Sequence, residues 1–138
     1  MDFSSINWLA VLACVVFSVI SGSFWFGPKT FFPVWWKAIG KSESDLPDGR
    51  PLTWILILVS SFVQAVFMAL MVNALGSIMD GATLASGVAT GFLIWLGFVA
   101  PASLVNKLFP AQIKAWAIEN GNHLINFVVF GAILGAWH

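Results

Sequence analysis

The sequence predicts an all-α membrane protein, a bundle of four transmembrane helices with a short interfacial element between helices 1 and 2. Three observations carry this. Of 138 residues, 59% are apolar and 9% charged, where a soluble domain has roughly a quarter charged. The apolar residues gather in four runs, each near the roughly 20 residues that cross about 30 Å of hydrocarbon. All six lysines and arginines follow either the first run (Lys29, Lys37, Lys41, Arg50) or the third (Lys107, Lys114).

Backbone groups in hydrocarbon must be satisfied within their own segment, so runs of this length are helices rather than barrel strands. Together they form one transmembrane domain over residues 1–138, leaving no room for a separate soluble catalytic unit.

The first span is expected over about 6–26, with Ser4 or Ser5 as N-cap and Gly27-Pro28 ending it. It reads as a retained span and not a signal peptide, because Asp2 stands where a basic n-region belongs and the run is too long. Lys29, Phe31, Phe32, Trp35, Trp36 and Lys37 follow, a mixture that favours the headgroup region and predicts lipid contact. Residues 42–50, with Glu43, Asp45, Pro47, Asp48 and Gly49, read as a solvated loop.

The second span, about 51–75, opens on Pro51, a favoured first helical residue, and closes before Gly76. The third, about 81–100, takes Asp80 as cap and meets Pro101, where the helix stops or continues kinked toward Phe109. The fourth occupies about 111–137 after Pro110. Four spans put both basic segments on one side, six positive charges against none. By the positive-inside rule that side is cytoplasmic, so the protein is expected in a bacterial inner membrane with both termini periplasmic.

Chemistry-bearing residues are few. Glu119, Asn122, His123 and Asn126 recur at spacings of three and four in the last span, which places them on one helix face. From Ala111 the helical rise sets Glu119 about 12 Å and His123 about 18 Å along, toward mid-bilayer. Ionisable groups there should face other helices or a hydrated cavity. Two readings stand: a hydrogen-bonded network that fixes helix packing, or a proton-responsive carboxylate and imidazole pair. Gln64, mid-way along the second span, is expected to face this stripe, and Lys107 to be hydrated or to snorkel.

Small residues form stripes suited to close helix approach: Gly22 with Cys14 and Ser18, Gly87 and Gly91, Gly131 and Gly135. Such contacts fit within one bundle or between protomers, and the last pair is also suited to an oligomer. The lone Cys14 excludes an intrachain disulfide, and the two histidines lie far apart along the last helix, so no metal site is predicted. No phosphate-binding glycine loop, nucleophile elbow or HExxH helix is present. Zero formal net charge gives no bias toward nucleic acid.

INWLA at 6–10, Gly22, FWFGP at 24–28, Trp36, Gly40, WLGF at 95–98, Asn106, GNHL at 121–124 and GAILGAW at 131–137 resemble the bacterial four-helix membrane family known as domain of unknown function seventeen sixty-one. The resemblance implies a small integral inner-membrane protein and brings no activity or catalytic residue. Phe26 stands where that family's aromatic motif leads one to expect a tyrosine, and the chain has no tyrosine.

The expected function is non-enzymatic: action through helix contacts, as a homo-oligomer or as an accessory subunit beside other membrane proteins. A small transporter or channel component using the polar face of the last helix is the alternative. No cofactor is predicted, with a bound lipid, quinone or pigment left open.

Overall fold

In a computed structural model, residues 2–138 are described, and all their regular structure is helical. The order is a 3₁₀ turn at Phe3–Ser5, α1 Trp8–Trp25, α2 Phe32–Ala38, α3 Pro51–Gly76, α4 Leu84–Ile94, a π-helical turn Trp95–Val99, α5 Ala100–Leu108 and α6 Ile113–Ala136. Both termini and the 77–83 turn share one end of the molecule, the terminal end. The opposite end carries α2, the 41–50 loop and the turn at 109–112.

Three helices are long and apolar enough to cross a membrane: Trp8–Trp25, Pro51–Gly76 and Leu84–Leu108. Against the expectation of four such spans, α6 has the length, 24 residues, but not the apolarity. The cause is its run of Glu119, Asn120, Asn122, His123 and Asn126.

The caps correct the expected boundaries. Asp2, not a serine, caps the 3₁₀ turn by accepting the Ser4 N–H at 2.9 Å. Asn7 caps α1 by accepting from Leu9 and Ala10, while its side-chain amide donates to the Trp137 carbonyl at 3.2 Å. One residue thus starts α1 and ties it to the far end of α6. At α4 the cap is Thr83, in a reciprocal box with Ser86. Asp80 sits earlier, in the turn, at φ 46° beside Gly81 at φ 109°, a bend that leaves it outside the helix.

Pro101 does not end the third span. It lacks an N–H, and in a regular helix its ring would meet the carbonyl four residues back. The π turn just before it widens the helix, with the Ala100 N–H reaching the Trp95 carbonyl, so the chain continues through the proline to Leu108.

α6 lies at the centre and touches α1, α2, α3, α4 and α5. Its closest partner is α4, through glycines. A Cβ on Gly87 would fall against the Gly131 carbonyl oxygen and 3.0 Å from the Gly135 Cα, and one on Gly91 against the Phe127 carbonyl. The Gly131 and Gly135 pair, expected to suit another protomer, is therefore consumed inside the chain. Gly22 departs from its expected packing role, since a Cβ there would meet nothing within 4 Å.

The apolar core gathers Ala10, Val11 and Cys14 of α1, Ala65, Met68, Ala69 and Val72 of α3, and Phe127, Phe130 and Leu134 of α6. Every α3 member lies in its second half. In the first half, residues 51–60 are all exposed except the half-buried Thr53. Leu52, Trp54, Ile55, Leu56, Ile57, Leu58 and Val59 occur around the whole helix, so no face of that stretch is buried against another helix.

Candidate intramembrane polar site

The polar residues of α6 do not act as one stripe; three neighbours divide them. Glu119 points to the loop end, where its Oε1 accepts from Lys107 Nζ of α5 at 3.1 Å and from Trp35 Nε1 of α2 at 2.9 Å. Lys107, expected to snorkel, instead forms an ion pair whose side chains are each about one-fifth exposed (21% and 20%). Trp35, expected only to meet lipid, straps α2 to α6.

Asn122 turns toward α1, and Asn126 bonds back to Asn122. Asn122 Nδ2 donates to Ser21 Oγ at 2.9 Å, and Asn126 Nδ2 to Asn122 Oδ1 at 3.3 Å. Among the described residues, Asn126 Oδ1 is a buried acceptor with no donor. His123 is half-buried one turn beyond Glu119 and forms no hydrogen bond with it. Both the lysine and the indole bond Glu119 through Oε1.

Gln64 does not reach these groups. It lines an apolar groove of about 280 Å³ with Val63, Phe67, Met68, Ile94, Val99 and Phe127.

Sequence reasoning missed Asn120, which is only 2% exposed. Its side-chain amide donates to Ser103 Oγ at 2.8 Å and to the Trp116 carbonyl at 3.1 Å. Spaced 11 residues before Gly131, or about three turns, Asn120 lies on the face that meets α4 and its continuation. That phase relation with the glycines was the available signal. Around it, Trp95 Nε1 donates to the Asn120 carbonyl at 3.2 Å, and Trp116 Nε1 to the Ala100 carbonyl at 3.0 Å. Trp25 Nε1 donates to the Ile118 carbonyl at 2.8 Å. The Trp25 ring lies on Gly121, where a Cβ would stand 2.7 Å from its Cζ2.

At the loop end, rings of α1, the following turn and α2 form a chain: Trp25 to Phe31 at 4.6 Å, Phe26 to Trp35 at 5.0 Å, and Phe32 to Trp36 at 5.2 Å. Lys29 and Lys37 are exposed beside it. In the loop, Arg50 and then Thr53 hydrogen-bond the Asp48 carboxylate and hold it well below the usual carboxylate range. No three His, Cys, Asp or Glu side chains come together as a metal site among the described residues.

Residues 9–135 match the family model described as a protein of unknown function (DUF1761), and the chain belongs to that family. No curated protein and no solved structure matches it.

Proposed function

We propose that this member of the DUF1761 family is a small non-enzymatic protein of a bacterial inner membrane that acts through helix contacts, as a homo-oligomer or as an accessory subunit of a larger complex. In this reading α6 is a fourth span, its polar groups directed at neighbouring helices, and the termini are periplasmic because all positive charge lies toward the opposite end.

The observation that carries the reading is the first half of α3. Helix association in lipid draws on close packing and interhelical hydrogen bonds. A span that packs on no side over residues 51–60 leaves that contribution for another chain.

Native mass measurement in mild detergent tests this. The expected result is a mass above that of the 15.0 kDa chain, with disulfide capture between copies, or to a co-purifying subunit, through Leu56→Cys in a Cys14→Ala background. A strict monomer with no second chain and no capture sinks the proposal.

A second reading, a small transporter or channel component, has one specific observation in its favour. The donorless Asn126 Oδ1 lies three residues from the half-buried His123, and a buried acceptor calls for a donor from water or a passing solute. Proton or solute flux in liposomes that falls on the order of a hundredfold, the loss of one well-placed general acid or base, with Glu119→Gln and His123→Ala would support it. Unchanged flux assigns these residues to packing.

A further inference from the structure

Between α2 and the loop that follows lies an open cleft of about 660 Å³ whose lining includes Phe32, Trp36, Lys37, Lys41, Glu43, Asp45 and Leu46. It is amphipathic in two ways. Its walls combine stacked Phe32 and Trp36 rings with an aliphatic residue, Leu46, that is 87% exposed on an otherwise polar loop. Its charges are balanced, two lysines against two carboxylates.

Those charges are largely uncommitted. The ion pairs among the described residues are Arg50 with Asp48 and Lys107 with Glu119, so Lys37, Lys41, Glu43 and Asp45 form none there, although Lys41 is near enough to favour the charged form of Asp45. Lys41 Nζ stands 5.9 Å from the Trp36 ring centroid. Asp45 accepts the Ser42 N–H at 2.8 Å and the Ser42 hydroxyl at 3.1 Å, both on Oδ2, leaving Oδ1 without a donor. The Ser42 backbone bond, then the side-chain bond, holds that carboxyl below its ordinary range. Trp36 Nε1 donates to the Ser42 carbonyl at 3.0 Å and pins the loop to the helix.

The cleft joins the end of one apolar span, Trp8–Trp25, to the start of another, Pro51–Gly76. It therefore sits at a membrane boundary whichever way the protein is oriented. We infer that it binds the headgroup of an aminophospholipid, with Lys37 and Lys41 on the phosphate, Glu43 and Asp45 on the primary ammonium, and Leu46 among the acyl chains. A headgroup carrying both charges matches a cleft carrying both. An anionic headgroup with no cation would leave the two carboxylates opposed to it, and a quaternary ammonium offers no N–H to them.

The inference rests on the membrane reading but not on oligomerisation, and one native mass spectrum reads the two separately, as retained lipid and as chain number. The full chain would be reconstituted with equal phosphatidylethanolamine, phosphatidylglycerol and phosphatidylcholine, then partly delipidated. Phosphatidylethanolamine is expected to be retained on the order of tenfold over the other two, the worth of one charge-assisted hydrogen bond. Glu43→Gln, which breaks no bond in the chain, should cut that preference severalfold, and Lys37→Gln with Lys41→Gln should lower retention of all three lipids. Soluble glycerophosphoethanolamine should not displace the lipid. Equal retention of the three, an unchanged preference in Glu43→Gln, or displacement by the soluble headgroup at comparable concentration would each overturn the assignment.

Discussion

Gly131→Leu is expected to lower unfolding stability in detergent by more than about 3 kcal/mol, and Gly131→Ala by about 1–2 kcal/mol. The obstacle at Gly131 is backbone. A Cβ there would fall against the Gly87 carbonyl oxygen and 3.3 Å from the Gly91 nitrogen. A flexible side chain can swing away at little cost, whereas here α4 and α6 must separate as whole helices. Overpacking typically costs about 1–3 kcal/mol when side chains can adjust, and leucine adds three carbons beyond the Cβ that already has no room. Alanine recovers up to about 1 kcal/mol of helix propensity relative to glycine, which makes its net effect the smaller one. Gly22→Ala is the matched control. With open space around that position, it should be neutral or stabilising by up to about 1 kcal/mol. Reversible unfolding in mixed detergent, followed by circular dichroism, separates these outcomes. If Gly131→Leu unfolds at the same denaturant concentration as Gly22→Ala, the close contact between α4 and α6 is not where the structure has it. A change in assembly mass with unchanged chain stability would return Gly131 to the protomer interface that its spacing alone suggested.

The same glycines mark the limit of what the sequence made legible. Spacing identified a surface built for close approach but not the helix that approaches, because every small-residue stripe looks alike until topology assigns neighbours. Apolar length located α1, α3 and the third span, as hydrocarbon thickness requires. It set the cap at Asp80, a residue type that serves as well as Thr83; the reciprocal bond with Ser86 puts the cap at Thr83. It could not show that the helix passes through Pro101, which depends on the wider turn beginning at Trp95. Composition did not reveal the tryptophans as donors: Trp25, Trp95 and Trp116 each bind a carbonyl on a neighbouring helix. At the polar site, helical spacing grouped residues near Glu119 but not their partners, which come from α1, α2 and α5 and divide the group. Asn120 escaped because its significance lies in its phase with Gly131, not with Glu119.

Lys107→Met is expected to destabilise the protein by about 2–3 kcal/mol and Glu119→Gln by about 1 kcal/mol, with the double variant Lys107→Met/Glu119→Gln recovering part of the loss. An exposed pair is worth at most about 1 kcal/mol, whereas removing one partner of a fully buried pair costs about 3–5 kcal/mol. With side chains at 21% and 20% exposure, this pair falls between those limits. The asymmetry follows from what each change leaves behind. Without Lys107 the Glu119 carboxylate retains only the Trp35 indole as donor. Without the carboxylate, Lys107 sits one residue from the end of α5 and can extend its amine toward water, while the glutamine oxygen still accepts from Trp35. Double-mutant analysis by unfolding decides the matter. Additivity within about 0.5 kcal/mol would mean the two residues do not interact. Hydrogen exchange in α2 supplies an independent readout, because the Trp35 bond to Glu119 Oε1 is its only side-chain hydrogen bond to another helix. Trp35→Phe should speed exchange in α2 with little effect on α4 or α6, the local opening expected of a short element held by one polar strap. Uniform acceleration across the molecule would instead make that contact part of the global core.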